Sequence, residues 1–285
     1  MKKDNPKLTI ISLGWGVQSW ALAAMSALGD LPPVDFAVHS DTAWEMKATY
    51  EFAQDWTSWL EDHGVKVVTV NGKKAQWVSG GSRMLPTYTI NPPVSKLNNG
   101  KNKIMIPANT ATVNGGQLRR QCTQRWKIAP VRRCVSQWLK DRDLKKSPGI
   151  VEQWLGITTD EWHRAKDSQV KYITHRYPLL DLGMSRDDCL TWLARHNLPS
   201  PGKSSCTFCP YHSKQAWRNM KKEDGPDWKQ AVEIDKLIRD KRPPYDLFVH
   251  SSRLPLQEAV DIPEDHGWTQ ASLLNEECDS GYCFM

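Results

Sequence analysis

The chain of 285 residues lacks any apolar run close to the roughly 18 residues that cross a bilayer. Its first ten residues, MKKDNPKLTI, contain two lysines but no apolar region typical of a signal peptide. We therefore expect a cytoplasmic protein with no membrane partner. Its seven cysteines are then expected to be thiols or metal ligands rather than disulfides.

The chain also lacks the two common phosphate-binding motifs, GxxxxGK[ST] and GxGxxG, at its glycine-containing turn. Residues 8–19, LTIISLGWGVQS, are a short apolar run, a loop with two glycines and the start of an apolar helix. Glycines let backbone N–H groups turn toward an anion, and a helix N-terminus adds partial positive charge. The turn therefore predicts a nucleotide-phosphate site, while turns that serve packing alone share the same pattern.

Charge is unevenly distributed. Residues 119–146 contain ten Lys or Arg and two Asp, a local charge of +8, whereas the whole chain carries +6. A concentrated basic segment suits a polyanion such as a nucleic acid or a multiply charged nucleotide. The alternative is a solvated helix face.

Helical and strand periodicities alternate in the first part of the chain, which predicts an α/β fold with a parallel sheet and crossover helices. The expected elements are a strand over 8–13, a helix over 17–28, a strand over 34–39, a helix over 45–63 and a strand over 65–70. Ligands of such sheets bind beyond the carboxyl ends of the strands, where residues 14–19 and 40–42 would lie.

Later segments predict an irregular insertion over 71–116, a basic helix over 131–143, a buried strand over 149–158 and a charged turn over 159–164. Helices are expected over 185–197, 213–222 and 227–241. We place a soft boundary near residue 180, between an α/β nucleotide-binding domain (1–180) and a smaller, mainly helical region that carries cysteines (181–285).

Several segments, in order along the chain, resemble the PP-loop superfamily, whose fold is the Rossmann-like sheet of adenine nucleotide alpha hydrolases. Within it they resemble the phosphoadenosine phosphosulfate (PAPS) reductase-like and DNA phosphorothioation-type branch. The segments are SLGWGVQS (12–19), HSDTAWE (39–45), RRQCTQRWKIAP (119–130), GITTDEWHR (156–164), SSCTFCP (204–210) and ECDSGYC (277–283).

The resemblance implies an adenine nucleotide, ATP or APS/PAPS, with its phosphates on the glycine loop and its adenosine near the end of the second strand. The nucleotide-binding residues so implied are Ser12, Gly14, Trp15, Gly16, Val17, Gln18, Ser19, Asp41 and Thr42. The usual loop carries an aspartate where this chain has Gln18. That exchange removes a charge that would help to hold Mg²⁺, so nucleotide binding is better supported than ATP cleavage.

The pair Cys206 and Cys209, followed by Pro210, has the spacing that presents two thiolates to one metal from a tight turn. Cys122 lies in the segment where iron–sulfur members of the resembled family carry a cluster ligand. The expected metal ligands are Cys122, Cys189, Cys206 and Cys209, holding a [4Fe–4S] cluster or Zn²⁺. Core packing is the alternative for Cys189, and an open coordination position is the alternative for the fourth ligand.

Two further cysteines, Cys278 and Cys283, lie in the last eight residues. The resembled reductases use a C-terminal Glu-Cys-Gly nucleophile, which implies a catalytic role for Cys278, although two residues separate it from Gly281. A loose tail with ordinary thiols, or a tail cysteine that completes the cluster, are the alternatives.

Charged residues supply the remaining candidates. Arg119, Arg120, Lys127 and Arg164 are expected to bind phosphate or another substrate anion. Asp160 and Glu161, after the strand over 149–158, are expected to line the site as catalytic carboxylates, with a surface salt-bridge cluster as the alternative.

Together these features predict an enzyme that adenylates a nucleic acid acceptor (DNA or tRNA) with ATP and transfers sulfur to it from a cluster or a cysteine persulfide. A cysteine desulfurase is the expected sulfur donor. The first alternative is a thioredoxin-linked APS/PAPS reductase that releases sulfite. The second is a nucleotide-binding or nucleic-acid-binding module without turnover.

Overall fold

The computed structural model describes residues 6–71, 74–78, 91–97, 99–112 and 115–261. The strands are β1 Leu8–Ser12, β2 Phe36–Asp41, β3 Val67–Asn71, β4 Lys74–Val78, β5 Val94–Lys96, β6 Asn102–Ile104, β7 Asn109–Thr110, β8 Val151–Trp154, β9 Ile173–Arg176 and β10 Leu247–Phe248. The α-helices are α1 Val17–Leu28, α2 Lys47–Asp62, α3 Ala129–Lys140, α4 Pro178–Asp181, α5 Arg186–Arg195, α6 Lys214–Glu223, α7 Pro226–Ile238 and α8 Leu256–Ala259. A π-helix, Thr123–Ile128, leads into α3, and a 3₁₀-helix occupies Thr159–Arg164.

The central sheet has six strands in the order β4-β3-β2-β1-β8-β9. Five of them are parallel, and β4 pairs antiparallel with β3 at one edge. Strand order reverses at β1, because the chain moves outward through β2 and β3 and then returns to β1's other side with β8. The α/β class with a parallel sheet, expected from the sequence, is confirmed, and β1 ends at the switch point where ligands of such sheets bind.

Alternation along the strands divides the core between the two faces of the sheet. Leu8 and Ile10 of β1 pack with the apolar face of α3, whereas Ile11 packs with α1 and α5. Successive strand side chains point to opposite faces, so one strand serves both layers. Both faces are therefore covered by helices, as a parallel sheet requires.

A third apolar cluster lies around α6 and α7 and includes Trp44, residues 104–106, Trp126 and Phe208. The cluster beneath α1 contains Leu179 together with Cys189 and Leu193 of α5. Packing therefore crosses the boundary expected near residue 180, and the two-part division of the chain remains a prediction.

Local signals placed several helices correctly. The helix over 17–28 has the expected bounds, and α5 opens with a capping box in which Ser185 and Asp188 bond each other's backbone N–H groups. The strand β9 and the π-helix lay outside our expectations. No helix in the described ranges is long and apolar enough to cross a bilayer.

Candidate functional site

The loop after β1 is braced by a serine from the helix that follows it. The backbone N–H of Gly14 donates to Ser19 Oγ (3.1 Å), and that hydroxyl donates to the carbonyl of Gly16 (3.2 Å). Gly16 is the N-cap of α1 and makes no side-chain capping bond. The first-turn N–H groups of a helix lack partners within the helix, so this loop offers donors to an anion.

The loop after β8 lies directly against this turn. A Cβ on Gly156 would lie 2.8 Å from the backbone nitrogen of Ser19 and 2.9 Å from the carbonyl carbon of Gln18. Both neighbours are backbone atoms, which cannot move aside without deforming the start of α1. Glycine is therefore required at 156, and the sequence offered no reason to single it out beyond its place in GITTDEWHR.

Gln18 connects the glycine loop to a charged cluster. Its Nε2 donates to Glu161 Oε1 (3.4 Å), and its Oε1 accepts from Arg186 Nη1 (3.4 Å). A neutral amide can donate to a carboxylate and accept from a guanidinium at once, whereas an aspartate could not donate to Glu161. These contacts give a physical reason for Gln18 where the resembled family has a carboxylate.

The charged residues expected after β8 fall in two environments. Glu161 and Arg164 form a buried ion pair. Asp160 is exposed, and its Oδ2 accepts from the backbone N–H of Arg186 (2.6 Å) at the start of α5. Glu161 therefore lies beside the glycine loop through Gln18, while Asp160 holds α5 to the 3₁₀-helix.

Asp41 and Thr42, at the end of β2, shape a buried turn. Asp41 Oδ1 accepts from the N–H of Ala43 (2.7 Å) and from the hydroxyl of Tyr50 (2.8 Å). Burial, reinforced by the charges of Asp41 and Glu45, raises the pKa of Tyr50 well above its ordinary value, so the phenol stays protonated and donates. Contact of Asp41 and Thr42 with adenosine stays a prediction.

Three of the predicted cysteines line one small pocket. Cys122, Cys206 and Cys209 surround it together with Arg120 and Lys127. The N–H of Cys209 donates to the carbonyl of Cys206 (3.0 Å), which makes the tight turn expected of a CxxC pair. The structure therefore brings together residues from two distant segments that the sequence could relate only through resemblance.

Residues 204–210, which contain Cys206 and Cys209 and are called the cysteine turn below, are attached to the segment that follows β2. Cys206 forms an isolated β-bridge with Glu45, and the N–H of Thr207 donates to the carbonyl of Trp44 (2.8 Å). Cys206 Sγ lies 3.5 Å from Thr42 Oγ1. Thr42 has a single hydroxyl proton and gives it to Glu45 Oε1 (3.0 Å), so the thiol is the donor in the contact between Cys206 and Thr42.

A buried ion pair borders this pocket. Lys127 Nζ lies 3.2 Å from Glu45 Oε1, and both side chains are almost fully shielded from solvent. Glu45 Oε2 is buried without a hydrogen-bond partner among the described residues. Glu45 was missed as a site residue, although it ends the HSDTAWE segment, because an acid just before a helix is ordinarily a helix-start residue.

The cysteine turn also contacts the glycine loop itself. Ser204 Oγ donates a hydrogen bond to the carbonyl of Gly14. A Cβ on Gly16 would lie 3.8 Å from the Cβ of Ser204, an ordinary van der Waals contact. The glycine loop and the cysteine pocket are thus neighbours at the carboxyl end of the sheet.

Cys189 lies apart from the other three predicted ligands. It is fully buried in the core beneath α1, beside Leu193 and Leu198, and burial raises its pKa to about 12. Cys134 is likewise buried, against the other face of the sheet, with its pKa raised by burial to about 11. Both thiols stay protonated at neutral pH, and packing is the role their surroundings support.

Not every predicted residue reaches this site. Arg119 is exposed, whereas Arg120 lines the cysteine pocket with its guanidinium 5.3 Å from the ring centre of Tyr211. Cys278 and Cys283 lie outside the described residues. Across the part of the chain that the structure describes, no three His, Cys, Asp or Glu side chains are arranged to hold one metal ion.

No protein-family model and no curated protein matches this chain. Solved structures resemble it, among them the phosphate complex of phosphoadenylyl-sulfate (PAPS) reductase from Candida auris. The two chains are 10% identical with a TM-score of 0.41, and the alignment covers 70% of this chain and 76% of that one. No statement about activity follows from a likeness of this size, and the α/β architecture rests on the strand pairing itself.

Proposed function

We propose that this chain is a PP-loop-type enzyme that binds an adenine nucleotide on residues 14–19 and transfers sulfur to a nucleic acid. One observation carries the proposal: Ser204, in the cysteine turn, donates to Gly14 of the glycine loop. A thiol pocket and a phosphate cradle that share a hydrogen bond can act on one bound molecule. The expected reaction is adenylation of an acceptor oxygen by ATP, followed by displacement of AMP by sulfur.

The nucleotide half of the reaction uses backbone groups. N–H donors of the glycine loop and of the first turn of α1 would hold the phosphates. Gly156 lets the loop after β8 pack directly against this turn, because a Cβ at 156 would collide with the backbone of Gln18 and Ser19. Attack of an acceptor oxygen on the α-phosphorus forms a P–O bond and releases pyrophosphate. The acceptor oxygen, a poor leaving group by itself, then leaves as part of AMP.

The sulfur half uses two thiols of the pocket. A persulfide on one cysteine, supplied by a donor of the cysteine desulfurase class, attacks the adenylated atom and expels AMP. The second thiol of the CxxC pair then attacks the resulting disulfide, which frees the thiolated acceptor and leaves a Cys206–Cys209 disulfide for a dithiol reductant. The contact of Cys206 with Thr42, and of Thr42 with Glu45, gives the thiol proton a route to a carboxylate.

A metal-based version of this chemistry has less support from the described residues. Cys189 lies in a different core from Cys122, Cys206 and Cys209, and within the described ranges no three potential ligands are arranged to hold one metal ion. Gln18 supplies no carboxylate for Mg²⁺ and is bonded to Glu161 and Arg186. The described residues supply three cysteines at one pocket but no complete ligand set, so no step is routed through a [4Fe–4S] cluster, Zn²⁺ or Mg²⁺.

The experiment supplies α-labelled ATP, a cysteine desulfurase with cysteine, and either single-stranded DNA or tRNA. We expect pyrophosphate, AMP and a sulfur-containing nucleic acid. In a second arm, PAPS and reduced thioredoxin replace ATP and the acceptor. Sulfite without pyrophosphate would favour the reductase instead, and nucleotide binding with no product in either arm would favour a binding module.

The matched variants are Gly156→Val and Gly202→Ala. A side chain at 156 collides with the start of α1, whereas nothing lies within 4 Å of a Cβ at 202, in the loop before the cysteine turn. We expect Gly156→Val to weaken ATP binding at least tenfold in calorimetric titration and Gly202→Ala to leave it within twofold. Equal ATP affinity in the two variants would contradict the placement of the nucleotide at this loop.

A further inference from the structure

A second cavity adjoins the site and has no part in the reaction described so far. It has a volume of about 180 Å³ and lies between the start of α3 and the carboxyl ends of β1, β8 and β9. Ser12, the last residue of β1, and Lys127 both line it. It therefore borders the glycine loop on one side and the cysteine pocket on another.

The size of this cavity restricts its occupant. Its volume is several times the roughly 30 Å³ that a water occupies, yet below the roughly 300 Å³ at which pockets for drug-sized ligands begin. Lys166 and Gln169, which line it, are exposed, so the cavity is open to the surface. One planar group at the end of a longer molecule fits these limits better than a whole nucleotide triphosphate does.

Two aromatic rings form part of its wall. The rings of His175 and Tyr177 are 6.4 Å apart and nearly perpendicular. The Tyr177 hydroxyl donates to the carbonyl of Lys166 (2.5 Å) and accepts from its N–H (2.8 Å), which fixes the loop that closes the cavity. Bases of single-stranded nucleic acids stack on such rings regardless of sequence.

His175 also supplies a hydrogen-bond acceptor. Burial is the main cause that lowers its pKa, so the imidazole is neutral at pH 7. Its Nδ1 lies 2.9 Å from the carbonyl of Lys166 and must donate to it, which leaves Nε2 as an acceptor. Gln153 Nε2 already donates to Ser12 Oγ (2.6 Å). The exposed amide of Gln169 and the Nε2 of His175 are therefore the donor and acceptor offered to the edge of a base.

The surroundings of the cavity are positively charged. Arg132 and Lys166 line it with one carboxylate, Asp167, and Lys127 is already paired with Glu45. Arg133, next to Arg132 at the start of α3, is exposed, and further exposed cations lie toward the far end of α3 and the amino ends of β8 and β9: Lys140, Arg142, Lys145, Lys146 and Lys171. Such a surface attracts the phosphates of a polyanion.

We propose that this cavity receives one unstacked base of a single-stranded nucleic acid, whose flanking phosphates lie on Arg132 and Lys166 at its rim and on the exposed Arg133 at the start of α3. The inference rests on the proposed function only in taking a nucleic acid as the acceptor. It assigns a recognition site beside the one that holds the adenine nucleotide, with Ser12 and Lys127 at the border between the two. A base placed here would present an atom toward the adjoining glycine loop and cysteine pocket.

The test compares two fluorescent 12-nucleotide single strands, one intact and one with abasic central positions, as DNA and as RNA. We expect the intact strand to bind wild-type protein at least tenfold more tightly than the abasic strand, because the abasic strand has no central base to stack in the cavity. Gln169→Trp, at the exposed side of the cavity, should reduce that ratio to within twofold. Gln215→Trp, on the exposed face of α6, should preserve it.

A charge variant tests the surrounding surface. Lys166→Glu should lower the slope of log affinity against log salt by about one to two, whereas Lys222→Glu on α6 should leave the slope unchanged. A ratio of intact to abasic affinity that is near one in wild type, or that survives Gln169→Trp, would overturn the proposal. Failure of both the DNA and the RNA strand to bind would also overturn it. If one of the two binds more tightly, that strand identifies the kind of nucleic acid.

ATP titration of the same proteins separates this proposal from the proposed function. We expect Gln169→Trp and wild type to bind ATP equally, because the base cavity and the phosphate loop are different places. If ATP does not bind but the protein still prefers the intact strand to the abasic one, the nucleotide site is wrong and the base cavity is supported. Normal ATP binding without strand preference would do the reverse.

Discussion

The glycine loop and the cysteine pocket are neighbours, yet they are built differently. The loop consists of consecutive residues between β1 and α1, and its working groups are backbone amides braced by Ser19. The pocket joins segments around residues 42–46, 120–127 and 204–211, and its polar groups are side chains buried together. The glycine loop depends on backbone conformations and close approaches that glycine allows. The cysteine pocket depends on a buried ion pair in which each charge needs its partner. The two regions should therefore respond differently to substitution.

The largest effect is expected in the pocket, from Lys127→Met. This change leaves the Glu45 carboxylate buried without its cation, and such losses cost about 3–5 kcal/mol of the free energy of unfolding. Urea denaturation measures it. The exposed pair Lys47 and Glu51 has the same 3.2 Å separation, and Lys47→Met should cost under ~0.5 kcal/mol.

The double variant Lys127→Met with Glu45→Gln separates charge from packing. Removing both charges should recover more than half of the stability lost in Lys127→Met, because no unpaired carboxylate remains. If the single and double variants were equally unstable, the loss would come from packing and the contrast between the two regions would weaken.

The next effect concerns the thiols themselves. Raised pKa values of about 11 for Cys134 and about 12 for Cys189 leave little thiolate at pH 8. We expect iodoacetamide to label them at least 100-fold more slowly than Cys206 and Cys209 in the folded protein, as measured by mass spectrometry of peptides.

The pH dependence has a definite sign. An acid with a raised pKa gains thiolate about tenfold per pH unit until that pKa is reached, so labelling of Cys189 should rise steeply between pH 8 and pH 10. In urea all cysteines should react alike. Labelling of Cys189 as fast as that of Cys206 in the folded protein would return Cys189 to the candidate ligands.

How far the sequence could lead differs between the same two regions. The short apolar runs and the helical pattern identified β1, α1 and β2 to within about two residues, because a strand buried on both faces is largely apolar and the turn after β1 carries glycines. The short edge strand β9 was missed because ITHR contains one apolar residue, so its sequence shows neither an apolar run nor an alternation of apolar and polar residues.

The site followed the same rule. Cys206 and Cys209 could be paired from spacing alone, because both lie in one tight turn. The partnership of Glu45 with Lys127 joins residues 82 positions apart in the numbering, and nothing local in either segment indicates it. Gly156 was likewise hidden, because its requirement comes from the backbone of Gln18 and Ser19 rather than from its own turn.

The smallest effect should come from the bond that joins the two regions. Ser204→Ala removes the donor to the Gly14 carbonyl, and one hydrogen bond contributes about 1 kcal/mol, so ATP affinity should fall roughly fivefold. Ser200→Ala is the matched control, because that hydroxyl donates to the carbonyl of its neighbour Pro201 (3.4 Å). If this hydrogen bond couples the two regions, bound ATP should slow the alkylation of Cys206 in wild type and slow it less in Ser204→Ala. Equal protection in both proteins would mean that the glycine loop and the cysteine pocket, although adjacent, act independently.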